Sequence, residues 1–188
     1  MTKLQHRLRA SILCVFLTFA SGKAIAAKVD LYFGAFDFSA ETAATSGSAS
    51  GAGAYKISYY LPIFDQVEVG LGYTLILADT FSGDSAFGLD VEMAYFPFTP
   101  AQDLKIQAEK TTATISHNWK PFVLGGYNAR QFQSVSTQYN GFSAGFGFER
   151  KLEARYNFKG LFRYASLAGA NEGTASEITI LGGLTFNF

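Results

Sequence analysis

Only one cysteine, Cys14, and two histidines, His6 and His117, occur in 188 residues. That scarcity excludes a disulfide framework and a cysteine- or histidine-built metal cluster. Proline is sparse, with four in all. Beyond the N-terminal region no run approaches about 20 consecutive apolar residues, so no helix is long enough to cross a bilayer. Basic residues are not in excess either: 15 Lys and Arg face 15 Asp and Glu. A nucleic-acid partner would demand a basic surface, and none can be drawn from this balance.

The first 26 residues form a separate unit. Lys3, His6, Arg7 and Arg9 make a basic head, Ala10 to Ala20 an apolar stretch too short to span a membrane, and Ala24-Ile25-Ala26 a small-x-small site. This pattern predicts a cleaved secretory signal over 1–26, with the mature domain at 27–188. Cleavage after Ala26 or after Ala27 fits equally well. Cys14 follows Leu13 rather than a small residue, which does not suit lipoprotein acylation. The mature chain then has no cysteine. The segment takes four of the 15 bases and none of the 15 acids, leaving a mildly acidic mature protein of 11 bases.

What the chain has in plenty is aromatic residues and glycine: 19 Phe, 10 Tyr and 19 Gly. Such a composition without a spanning helix is compatible with crossing a membrane as a closed sheet. Eight strand-like segments can be read, at 28–38, 53–61, 67–77, 86–96, 119–131, 139–149, 152–164 and 177–188. Each has the length a tilted strand needs to cross a bilayer. An even count places both ends on the periplasmic side. The connections at 39–52, 78–85, 132–138 and 165–176 are small or polar and are expected as outer loops, the first and last of them flexible. Residues 62–66 and Arg150-Lys151 are expected as tight inner turns. The connection 97–118 is long for that side and reads as a small hairpin or as an extension of the strands around it.

The faces of the strands decide which way the sheet turns. Successive side chains point to opposite sides. In 177–188, Ile178, Ile180, Gly182, Leu184, Phe186 and Phe188 oppose Glu177, Thr179, Leu181, Gly183, Thr185 and Asn187. In 86–96, Phe87, Leu89, Val91, Met93 and Tyr95 oppose Gly88, Asp90 and Glu92. Charges recur on the second face of nearly every strand and cannot make an apolar core. The apolar faces carry too many rings to fill the inside of an eight-stranded barrel. The apolar face therefore belongs outside, in lipid, and the charges in the lumen. Tyr73, Tyr95, Tyr164 and Trp119 suit an interfacial girdle. The expected lumen acids are Asp30, Glu68, Asp90, Glu92, Glu149, Glu153 and Glu177, and the bases Lys56, Lys120, Arg130, Arg155, Lys159 and Arg163. A charge network centred on Asp90, Glu92, Glu153, Arg155, Lys159 and Arg163 should plug the interior. Loss of one member, as in Glu92→Ala, should cost about 3–5 kcal/mol if the site is buried.

The closing strand resembles the C-terminal recognition pattern of bacterial outer-membrane barrels, with Gly183, Phe186 and Phe188 at the matching positions and Leu181 where a polar residue is usual. With the alternation and the segment KPFVLGGY at Lys120 to Tyr127, the chain resembles the small OmpA/OmpX-like eight-stranded barrels. The resemblance implies an all-β, antiparallel, up-and-down transmembrane barrel in the bacterial outer membrane. It implies outer-membrane lipid and lipopolysaccharide as surroundings, and periplasmic chaperones and the barrel-assembly machinery as partners in biogenesis, with Gly183, Phe186 and Phe188 as the assembly signal.

Some eight-stranded barrels modify lipid A, which needs a histidine with a serine and an acid near the outer rim. Here His117 falls on the opposite side, and Asp84-Ser85 has no histidine beside it. Gly125-Gly126 lacks any phosphate-loop continuation. No catalytic residue, cofactor or metal is expected. A structural or surface-interaction barrel is the leading expectation, a narrow channel or small-molecule transporter the second, and a lipid A-modifying enzyme the third.

Overall fold

The computed structural model describes residues 27–41, 46–78, 84–98, 104–108, 111–115, 119–132, 138–169 and 173–188. The expected signal segment and His117 lie outside the described residues. Ten strands follow in order: β1 (Lys28–Glu41), β2 (Ser46–Phe64), β3 (Val67–Ala78), β4 (Asp84–Tyr95), β5 (Leu104–Ala108), β6 (Thr111–Ile115), β7 (Trp119–Phe132), β8 (Gln138–Lys151), β9 (Tyr156–Gly169) and β10 (Thr174–Asn187). Eight of them close into one barrel, ordered β1-β10-β9-β8-β7-β4-β3-β2, and β5 and β6 form a separate two-stranded sheet. All pairings are antiparallel, and β1 meets β10 from Lys28↔Asn187 to Glu41↔Thr174. The fold is thus the expected eight-stranded up-and-down barrel. The 97–118 connection contains the small hairpin, with Leu104 opposite Ile115.

Ala27 and Phe188 lie at one end, here the inner end, where Phe188 N donates to the Ala27 carbonyl at 3.0 Å. The Asp65-Gln66 turn and the bend 152–155 share that end. Burial alternates as the sequence pattern requires. In β9, Asn157, Lys159, Leu161, Arg163, Ala165 and Leu167 are buried, while Phe158 and Tyr164 are exposed. Exposed Phe33, Leu71, Leu89, Val123, Phe146 and Ile180 belong to a belt around the outside. On β7 the belt runs from Trp119 to Tyr127, and on β9 from Tyr156 to Tyr164. At ~3.3 Å per residue and a tilt near ~40°, each interval spans about 20 Å, close to the apolar band of an outer-membrane barrel.

Several strand limits differ from the sequence reading. Residues 165–169 and 174–176, expected as outer loop, are strand, and Arg150-Lys151, expected as a turn, are the last residues of β8. The small-residue tract expected as a loop is largely strand, because Ser46 to Gly51 pair with Glu41 to Phe36 across a bulge at Gly34/Phe36. Ladder hydrogen bonds override the weak strand preference of Ser, Gly and Ala. At the inner end β9 begins at Tyr156 rather than 152. The N–H groups of Leu152 and Glu153 both donate to the Tyr156 carbonyl at 3.0 Å, turning the chain.

Lumen glycines are covered by rings. Tyr60 stands opposite Gly70, Phe122 opposite Gly147 and Tyr139 opposite Gly169. A Cβ at any of these glycines would meet the facing ring at 2.5–2.7 Å. Ring and missing side chain occupy one space, which pins the register.

Candidate functional site: the charged lumen

Five strands send six charges into the middle of the barrel. Lys56 comes from β2, Asp90 and Glu92 from β4, Arg130 from β7, Arg163 from β9 and Glu177 from β10. All six are buried. Each holds its place because its strand alternates, and three of them face glycine across the sheet: Gly72 faces Asp90, Gly70 and Gly126 face Glu92, and Gly145 faces Arg163. Arg130 forks onto Glu177, Nε to Oε2 at 2.7 Å and Nη2 to Oε1 at 3.1 Å, while its Nη1 donates to Asp90 Oδ1 at 2.7 Å. Arg163 Nη1 lies 3.2 Å from Glu92 Oε1 and 3.4 Å from Asp90 Oδ2, and its Nη2 donates to Glu177. Lys56 donates to Glu92 and stands 3.6 Å from Asp90. Three bases thus meet three acids. Neutral donors fill remaining acceptor sites: Thr74 and Asn128 on Asp90, Tyr60 on Glu92. A buried pair endures only when its desolvation is met by close partners of this kind.

A second group lies nearer the inner end. Lys159 Nζ is 2.8 Å from Asp30 and 4.0 Å from Glu149, and Lys28 pairs with Glu68 and, at 3.6 Å, with Glu149. Lys159 also sits over the rings of Tyr60 at 4.7 Å and Phe122 at 5.0 Å. Tyr60 joins the two groups, since its hydroxyl donates to Glu92 while its face carries Lys159. Toward the outer end, buried Phe36, Phe38, Ile76, Tyr139 and Leu167 lie beyond the ions. Phe38 and Tyr139 meet edge-on at 6.3 Å.

Of the expected network, Asp90, Glu92 and Arg163 come together in the central group, and Lys159 belongs to the inner one. Glu153 and Arg155 are not in the lumen. They lie in the bend before β9 and are exposed, because the strand starts after them. Lys120 is half-buried at the start of β7. The sequence pattern does not single out Lys28, although it shares the lumen phase of Asp30. Nor does it single out Tyr32 and Tyr60, since it sends tyrosine to the outer face. Gly183 faces the lumen opposite Tyr32, and Phe186 faces outward against Tyr156 at 5.4 Å. Phe188 is exposed at the inner end.

A closed barrel with an apolar belt outside and ion pairs within satisfies its backbone without water and its surface with lipid. Fold and surface define the class: an eight-stranded β-barrel of the bacterial outer membrane. No protein-family model and no curated protein matches the chain. Solved structures do. Neisserial surface protein A is similar over 86% of this chain and 97% of its own, at 12% identity and TM-score 0.60. The N-terminal β-barrel domain of Pseudomonas aeruginosa OprF covers 87% of this chain and 97% of its own, at 17% identity and TM-score 0.50. The Escherichia coli outer membrane protease OmpT is also similar, over 89% and 99%, at 7% identity and TM-score 0.50. These likenesses are of fold, and the OmpA/OmpX-like resemblance holds at that level.

Proposed function

We propose that this chain is a non-enzymatic barrel with a structural or surface-interaction role, its lumen plugged by charged side chains. One observation carries the reading: Arg163 reaches Asp90, Glu92 and Glu177 at once, so the central ions close on each other across the interior. A path for water would have to break several of these contacts together. Planar-bilayer recording is the test. The unmodified protein is expected to give little or no steady current. A large, stable open conductance would mean that the charges line a channel, the second reading. A carrier of small hydrophobic molecules fits less well, because such cargo needs an apolar interior.

The fold itself does not decide against catalysis, since one similar structure is a protease. The non-enzymatic reading rests on this chain's residues. The described residues include no histidine and no cysteine. Their acids in the lumen are engaged by bases and amides rather than presented to a substrate.

Outer-membrane lipid and lipopolysaccharide are the proposed surroundings, and the barrel-assembly machinery with periplasmic chaperones the proposed partners in biogenesis. Phe188, with Phe186 and Gly183, is the proposed assembly signal. Deleting Phe188 is expected to lower the heat-modifiable, folded fraction recovered in outer membranes. Full recovery of the deletion would remove Phe188 from that role.

A further inference from the structure

We propose that the bend joining β8 and β9 binds the headgroup of a net-anionic phospholipid in the leaflet at the inner end of the barrel. The inference goes beyond the structural role above and needs only that the barrel be embedded in lipid.

Charge placement is the first support. Among residues whose side chains are described, the exposed bases are Arg150, Lys151 and Arg155. All three lie at this one turn, Arg150 and Lys151 on the last residues of β8 and Arg155 in the bend. Exposed acids near the outer end, Asp37 and Glu41, have no exposed base among their described neighbours. The acids close to the bend are Glu153, within it, and the α-carboxylate of Phe188. Glu149, next along β8, is turned inward and engaged by Lys28 and by the Asn157 amide at 2.6 Å. The bend therefore keeps one positive charge in excess.

Shape is the second. Beside the bend lies an open cleft of about 400 Å³ lined by Arg155, Tyr156, Phe186, Asn187 and Phe188. Asn187 N donates to the Arg155 carbonyl at 3.0 Å and holds the bend against β10. Tyr156 and Phe186 meet edge-on, 85° between planes, and form an apolar wall that continues upward into the belt at Phe158 and Leu184. On the other flank Arg150 lies 5.0 Å from the Trp119 ring, which holds that guanidinium at the level of the interfacial aromatics. A cationic edge below an aromatic wall, on the side away from the belt, fits an amphiphile: phosphate against Arg155 and Lys151, first methylenes against Tyr156 and Phe186. A soluble anion would make no use of the wall.

The test uses the refolded full barrel in mixed micelles holding equal amounts of phosphatidylglycerol and phosphatidylcholine, read by native mass spectrometry. One net positive charge near a lipid surface corresponds to about a fivefold preference. The unmodified protein is expected to retain one phosphatidylglycerol in about that excess. Arg155→Gln alone, which leaves the bend without net charge, should bring the ratio to about one, and Lys151→Gln with Arg155→Gln should bring it to one or below. Asp37→Asn, at the far end, should leave it unchanged. Heat modifiability verifies that each variant is folded. Equal retention of both lipids by the unmodified protein, or an unchanged preference in the double variant, would overturn the site. Loss of the preference on adding inorganic phosphate would show a plain anion site and overturn the lipid assignment.

Discussion

Arg163→Met is expected to lower the stability of the folded barrel by about 3–5 kcal/mol. Among the described residues, Arg163 is the one base that contacts all three acids of the central group. Methionine keeps much of the volume and removes the charge, so three buried carboxylates would be left with Lys56 and Arg130 alone. The loss comes from stranding an acid in a site without water, rather than from the pair itself, whose net worth is small. A second substitution should reveal this. Arg163→Met with Glu177→Gln restores two bases to two acids and is expected to recover part of the stability. Reversible urea unfolding from lipid vesicles measures both variants. A double variant no more stable than Arg163→Met would show that packing, not charge balance, governs the lumen. Glu92→Ala belongs to the same class, with an expected cost at the lower end of the same range, about 3 kcal/mol. Lys56 would still lie near Asp90, and Arg163 would keep Asp90 and Glu177.

Alternation by itself makes the barrel legible. Period-two patterning needs only the residues of one strand, and its phase places Asp90, Glu92, Lys159 and Arg163 inside. Strand ends are less legible. Glu153 and Arg155 continue the alternation of β9 without a break, yet the turn claims them, because hydrogen bonds to the Tyr156 carbonyl are not written in hydrophobicity. Ser46 to Gly51 depart in the other direction: nothing in their composition announces a strand, and the pairing with β1 supplies it.

The lumen aromatics are the larger departure. Tyr32, Phe36, Phe38, Tyr60, Phe96, Phe122 and Tyr139 are buried, although the strand patterns send rings to lipid. The volume argument against an aromatic interior assumes side chains on every facing residue. Glycines at 70, 147 and 169 remove them, and there each ring occupies the space its own partner leaves. The sequence signal for this lies in the partner strand and is readable only once the register is known. The same holds for the ion pairs, whose members are mostly far apart in the chain: alternation says which face a charge is on, and only closure says which charges meet.

The two Gly-Gly pairs should separate lipid-facing from lumen-facing glycine most sharply. Gly182 and Gly183 are adjacent on β10 and point to opposite sides. A Cβ on Gly182 would have only Phe158 Cζ nearby, at 3.9 Å, whereas one on Gly183 would lie 2.0 Å from the Leu31 carbonyl oxygen. On β7, a Cβ at Gly125 would meet nothing closer than the Ser143 carbonyl oxygen at 4.0 Å, but at Gly126 it would meet the Val91 carbonyl oxygen at 2.7 Å and Glu92 Cγ at 3.0 Å. Gly182→Ala and Gly125→Ala are expected to fold and unfold like the unmodified protein. Gly126→Ala should cost about 1–3 kcal/mol, the usual range for overpacking. Gly183→Ala should cost at least as much, because its clash is with backbone of β1, and β1 against β10 is the seam that closes the barrel. Gly183 also belongs to the proposed assembly signal, and the two roles predict different results. Refolding from urea into lipid vesicles uses no assembly machinery. If close approach to Leu31 is what requires glycine, Gly183→Ala will be destabilised there as well as in cells. Normal refolding in vesicles with poor assembly in cells would assign Gly183 to recognition alone and sink the packing account.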